Sequence, residues 1–405
     1  MIEREKLLDS ITRACTWLTD ISQIQTERIP TECLHYSPMQ KSWKGSFRGE
    51  YNAGKQQWGM FCPVWHSGQA AKALCMAYQL TGEKKWLDSA ISAGDFLLNQ
   101  QVTEETSPEF GLIYAIEDYP DCVNTSAILE SMEGLLWLSE VTGDQKYTIA
   151  AHRAVSWVRD NAYMGDGHFR DNYSLTEHRF LLPEWMNYWE PPAGYPKREG
   201  RPLADDAIFL KMYKLTGEQS FRDVFYTIAD HLRTHEVPAG TWNNYQPSDG
   251  LQGLSHPRQS FWWGMPMYDA YMDTGDIVYY NSLRRCGEWY LRAQRQDGSL
   301  FRSTDLAFNT PAFGLCSSGI SCASLLWMRL YSVDRDEKWM EAVERALQFN
   351  MKVQFRNVSD GNLSGAILER TQFVAGSDAS PYHLRDLGTI FFIQAAVRYI
   401  EMMYS

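Results

Sequence analysis

An all-α closed ring of six helical hairpins, twelve helices in one domain spanning residues 1–405, is the fold class the sequence predicts, and three observations predict it. The stretch W-H-S-G-Q-A-A-K-A-L-C-M-A-Y-Q-L-T-G-E-K-K-W over 65–86 reads as a small-residue-rich helix that stops at Gly82. Glycine suits a left-handed C-cap, and a second helix follows at once. The same punctuation returns around Thr142, Thr216 and Thr274, and, with the glycine lost, around Asp334. These anchors lie about 60 to 75 residues apart, which leaves each unit room for two helices and a long connection. Lastly, the helical patterns at 2–25 and 386–403 have no sequential partner. Pairing them makes a sixth hairpin, so that two apolar stripes bury one another and the ring closes.

Taken in order, the first helix carries Leu7, Leu8, Ile11, Ala14, Cys15, Leu18 and Ile21 on one face. From Pro30 to Pro63 the chain turns polar and aromatic, with Trp43, Phe47, Tyr51 and Trp58 set among Gly and Lys. That composition predicts short irregular strands in the loops at one end of the ring. Hairpins are expected over 65–100, 123–161, 203–235, 260–294 and 316–354. In each, the first helix is the smaller and more apolar one and is expected inside, while second helices such as D-E-K-W-M-E-A-V-E-R have the charge of an outward face. The N-terminal ends of the six inner helices then converge on one mouth.

The composition excludes several function classes. A formal net charge of −12 repels nucleic acid and anionic membranes. The N-terminus enters an amphipathic helix without an apolar signal region, and no apolar run is long enough to span a bilayer, so a cytoplasmic protein is expected. Eight scattered cysteines in apolar settings read as reduced, buried thiols. Cys316 and Cys322 lack a C-x-x-C or histidine partner, and no phosphate-binding Gly-rich loop, H-E-x-x-H or EF-hand loop occurs, so neither a metal nor another cofactor is expected. The expected partners are an oligosaccharide and, in a homo-oligomer, copies of the chain itself.

With inner-helix starts such as C-S-S-G-I-S-C-A-S-L-L at 316–326 and the repeated T-G-(D/E) turns, the chain resembles the (α/α)6-toroid, or six-hairpin, glycosidase superfamily, nearest to the unsaturated glucuronyl hydrolases and other uronic-acid-acting glycoside hydrolases. The resemblance implies an (α/α)6 barrel acting as one catalytic unit on a small, uronic-acid-containing oligosaccharide. It also implies catalytic aspartates at inner-helix starts, positions that Asp121 and Asp206 occupy.

The residues themselves lead to the same mouth. Its entrances carry Trp65 and His66, Asp121 and Asn124, Glu184, Trp185, Trp189 and Glu190, Asp205 and Asp206, His256, Arg258, Trp262 and Trp263, and His383 and Arg385. Capping explains an Asp or Asn at a helix start. It does not explain tryptophans beside carboxylates, or histidines and arginines at a positive helix end. Glycosidic cleavage needs a carboxylic acid and usually a second carboxylate. Asp205-Asp206 is the candidate pair, one residue facing the cavity while its neighbour caps, with Asp121 as partner and Glu184 and Glu190 as alternatives. The tryptophans suit stacking on sugar faces, and His256, Arg258 and Arg385 suit an acidic sugar. A second reading is a polysaccharide lyase or sugar epimerase, with His66, His256, His383 or Tyr245 moving a proton next to a carboxylate. A third is a carbohydrate-binding toroid without catalysis.

Overall fold

The computed structural model describes residues 1–31, 33–34, 41–117, 120–181, 200–245, 247–250, 252–310, 314–371 and 381–404. Inner helices α2 (Pro63–Thr81), α4 (Thr125–Thr142), α6 (Ile208–Thr216), α8 (Gln259–Thr274), α10 (Ser317–Asp334) and α12 (Asp386–Tyr404) follow one another round the ring, α8 meeting the turn Asp205–Ala207 that leads into α6, and α12 returns to α2. Their outer partners are α3 (Lys84–Gln100), α5 (Lys146–Asn161), α7 (Gln219–Thr234), α9 (Ile277–Ala293) and α11 (Glu337–Lys352), with α1 (Arg4–Trp17) outside α12. The sorting follows composition. α12 is apolar almost all round and buried from Asp386 to Val397, whereas α7 and α11 bury one stripe and leave the opposite face charged.

The ring closes as its unpaired termini require. The Ile2 backbone N–H donates to the Tyr399 hydroxyl at 3.2 Å, which in turn donates to Glu344 at 2.8 Å, and the Tyr404 hydroxyl donates to the Ile2 carbonyl. The first helix is shorter than the expected 2–25. After Trp17 it widens into a π turn over Leu18–Ser22, where the Gln23 N–H bonds the Leu18 carbonyl five residues back.

The T-G-(D/E) turn has a physical reading at each position. Thr81, Thr142, Thr216 and Thr274 return their hydroxyl protons to carbonyls four residues back and accept the N–H of the residue after the glycine. The glycines at 82, 143, 217 and 275 stand at φ of 70° to 76°. Glu83, Asp276 and Asp336 cap the outgoing helix. Arg335 takes the same left-handed conformation, φ 58°, where the glycine was lost.

At the opposite end, loops pair into short strands. One sheet orders residues 33–34, 57–59, 50–52, 382–385 and 370–371, and so ties the first connection to the start of α12. All eight cysteines are buried. Among the described residues no helix is long and apolar enough to cross a membrane.

α2 and α4 approach through Gly68 and Gly134. A Cβ on Gly134 would collide with the Gly68 carbonyl oxygen, and one on Gly68 with the Ser131 backbone, whereas a Cβ on Gly143 meets nothing within 4 Å. Gly134→Ala should therefore cost on the order of 3 kcal/mol by overpacking, and Gly143→Ala only about 1 kcal/mol for its left-handed backbone. Equal losses in urea unfolding would contradict this packing.

Candidate active site

α6 has nine residues where the other inner helices have 16 to 19. At 1.5 Å per residue the third inner wall is about 10–15 Å shorter. The helix is stopped by two consecutive non-glycine residues in the left-handed region, Asp206 (φ 51°, ψ 15°) and Ala207 (φ 51°, ψ 36°). Each costs about 1–2 kcal/mol. The expectation that one aspartate faces the cavity while its neighbour caps fails here. The pair lies on a 3₁₀ turn, Asp205–Ala207, with no side-chain cap bond, and both residues turn inward.

Asp205 is 4% exposed and lies within electrostatic range of Glu130, on the second turn of α4, itself 6% exposed. Burial pushes the Asp205 carboxyl up to about 7, against the pull of Arg201 and with the help of Asp206. Glu130 is raised well above its usual range by burial and by Asp205, again against Arg201, which lies 3.9 Å away. The two buried carboxyls cannot both ionise cheaply.

Asp206 points deeper, into an ionic network. It accepts from Gln69 at 2.9 Å and from Lys72 at 3.2 Å, while Glu133 bonds Lys72 and Lys211. Burial opposes the charge on Glu133, but Lys211 and Lys72 outweigh it and hold the carboxyl well below the usual range. Asp206 is raised, by burial first and by Glu133 second. It serves as a strut beneath Asp205.

Above this floor the mouth brings together residues from the entrances of three hairpins. The Trp65 and Trp262 rings lie 6.0 Å apart, and the Arg258 guanidinium stands over both, at 5.6 and 5.2 Å. His256 stacks parallel to Trp262, its Nδ1 accepting the Arg258 N–H at 3.2 Å. His66 lies against Trp65 and Phe61 and stands 2.5 Å from Asp386, both fully buried, so that the starts of α2 and α12 are latched. Arg385 covers the Phe61 ring at 4.0 Å and donates to Glu50 at 2.6 Å. His383 accepts from Arg370 at 2.7 Å on Nδ1 and turns Nε2 toward Glu50. Burial, then Arg370, lowers His383 to about 4, and burial, then Arg258, holds His256 well below its usual range. Both imidazoles are neutral at pH 7.

The remaining sequence candidates lie elsewhere. Asn124 caps α4, accepting the Ala127 N–H at 3.2 Å. Asp121 sits beside the Cys122 thiol, and the α4 carboxyl within electrostatic range of Asp205 is Glu130. Trp263 packs against Trp242 and Tyr245 at 5.6 and 5.1 Å, and the Tyr245 hydroxyl is engaged by His168 and His231. Glu184, Trp185, Trp189 and Glu190 fall outside the described residues. Glu130, Gln69, Arg302 and Glu50 are absent from the sequence candidates. Attention to helix starts passed over the second turns of α2 and α4, which the short α6 uncovers.

Among the described residues a set of buried polar atoms here has no hydrogen-bond partner: Trp65 Nε1, Glu130 Oε2, His256 Nε2, Arg258 Nε, both amide atoms of Gln259, and Arg302 Nη1. Each costs about 1–3 kcal/mol.

No family model and no curated protein matches the sequence. Solved structures share its fold. An unsaturated glucuronyl hydrolase specific for heparin aligns with a TM-score of 0.67 at 15% identity, covering 99% of this chain and 98% of that one. A cellobiose 2-epimerase from Bacillus thermoamylovorans gives 0.65 at 10%, covering 97% and 99%, and a D-mannose isomerase 0.66 at 9%, covering 99% and 98%. The chain has the (α/α)6 six-hairpin toroid fold of these proteins.

Asp205 couples the site to stability. Its folded pKa of about 7 exceeds the ordinary aspartate value of about 3.9, so its contribution is fully present below pH ~4 and is lost as pH rises through ~7. Asp205→Asn should accordingly melt close to wild type at pH 4 and progressively above it up to pH 7–8. A Tm difference that does not change with pH would mean that Asp205 is ionised throughout.

Proposed function

We propose that the protein is a glycoside hydrolase acting on a small acidic oligosaccharide, with Asp205 as general acid and Glu130 as the partner carboxyl. The observation that carries this reading is the buried Asp205–Glu130 pair, whose environments keep a proton on it near neutral pH. One carboxyl of such a pair donates to the glycosidic oxygen while the other, ionised, draws a proton from water. Trp65 and Trp262 supply apolar faces for a sugar ring. Arginines around them favour a uronic acid, the substrate class named for the heparin-specific neighbour.

A second reading rests on a separate observation. His256 and His383 are both neutral, and the bond each Nδ1 accepts leaves the proton on Nε2. Two neutral imidazoles could move a proton next to a carboxylate or carbonyl, the chemistry of a lyase or of the epimerase and isomerase neighbours.

Incubation with unsaturated glucuronyl disaccharides separates them. Loss of the ultraviolet absorbance of the conjugated double bond marks the hydrolase. Asp205→Asn should lower that rate about 10²–10⁴-fold with the fold intact, and the pH optimum should fall away above ~7 as Asp205 ionises. New absorbance from saturated uronides, or label exchange at a sugar carbon that survives Asp205→Asn but not His256→Asn, would favour the histidines.

A further inference from the structure

We propose that Arg302, Arg258 and His256 form a receptor for one oxyanion of the substrate, a carboxylate or sulfate carried by the sugar. This rests on the acidic-saccharide reading above and names the residues that read the acid, of which Arg302 carries no sequence signal.

The backbone brings the three together. Ser255 and Thr304 exchange hydrogen bonds, 2.7 Å from the Ser255 N–H and 3.1 Å from the Thr304 N–H, stitching the loop before α8 to the loop before α10. His256 follows Ser255 directly, and Arg302 lies two residues before Thr304. The Arg258 N–H fixes the His256 ring, so that the imidazole proton sits on Nε2, and Arg258 Nη1 reaches the Ser318 hydroxyl of α10 at 3.5 Å. Three N–H groups, Arg302 Nη1, Arg258 Nε and His256 Nε2, are buried there without an acceptor among the described residues.

Their charge is only partly answered as well. Among the described residues the ion pairs of this region go to Arg385, held by Glu50 at 2.6 Å, while Arg258 has ring faces beside it in place of a carboxylate. Glu369 is close and offsets part of the charge, while its oxygens accept the Ser318 N–H at 2.8 Å and hydroxyl at 2.6 Å. The surplus shows in the groups themselves. Arg302 is lowered to about 10 by burial and by Arg258 and Arg385, with Cys316 and Glu369 opposing, and the same guanidiniums keep His256 neutral. A sugar hydroxyl could take one of these donors but would leave the charge uncompensated. An oxyanion takes several and supplies the missing charge.

Calorimetric titration of the full chain with sodium sulfate, glucuronate and glucose at constant ionic strength tests this. Sulfate and glucuronate should bind and compete for one site, the tighter of the two identifying the natural acid, while glucose does not bind. Arg302→Gln should weaken the anion about 10- to 100-fold, and Arg302→Lys, which keeps the charge, should retain part of the affinity, with helical circular dichroism confirming that both are folded. Absence of anion binding by the wild type, or a folded Arg302→Gln that binds as tightly as the wild type, would overturn the receptor. Asp205→Asn should keep anion affinity while losing hydrolysis, so binding without turnover leaves the receptor standing and removes only the hydrolase reading.

Discussion

The left-handed step at Asp206 and Ala207 sets the shape of the site, because it stops the third inner helix two or three turns short of its neighbours. A ring of six equal helices would bring six capped ends to one level, with hydrophobic walls meeting below. Removing the top of one wall exposes the second turns of α2 and α4, and these carry Gln69 and Glu130. The backbone strain survives because the network under it is strong. Lys72 and Gln69 hold Asp206, and Lys72 and Lys211 hold Glu133, from three different helices. Strain confined to a site and held by its surroundings is what pre-organised chemistry requires.

Charge in the mouth is layered. At the bottom two lysines face two carboxyls, Glu133 and Asp206. Above them burial raises Asp205 and Glu130 in spite of Arg201, so that the pair holds a proton near neutral pH, and higher still guanidiniums outnumber carboxylates. A chain of net charge −12 thus concentrates positive potential in one recess, where low-dielectric walls focus it. The outer surface repels anions in general, and the recess favours those that fit.

The ring was legible in the sequence because each turn states its own geometry: Thr81-Gly82-Glu83 combines a back-bonding hydroxyl, a left-handed cap and the next N-cap, and the repeat of that triplet counts hairpins. The unpaired stripes of α1 and α12 gave closure for the same reason, since an apolar face must be covered. Trp65, His66, His256, Arg258, Trp262 and Arg385 could be assembled from their places at helix starts. Depth could not. Nothing in L-A-D-D-A-I-F-L announces two left-handed residues, so Asp205 and Asp206 looked like adjacent helical positions 100° apart. Arg302 is legible only in space, because its partners come from a loop paired through Ser255 and Thr304.

The two ends of the ring divide the work between stability and chemistry. At the turn end threonine hydroxyls, left-handed caps and carboxylate caps satisfy the exposed helix ends with local bonds. At the mouth donors and acceptors stand bare, and the fold tolerates them because the walls are close-packed elsewhere. Two sets of neutral proton carriers face this recess, the carboxyls of α4 and the α6 turn on one side and the imidazoles beside α8 and α12 on the other. The fold alone accommodates either chemistry. On the receptor proposed above, what selects between them is where the acidic group anchors the sugar, since one fixed pose cannot present both its glycosidic oxygen to Asp205 and its acidic carbon to His256.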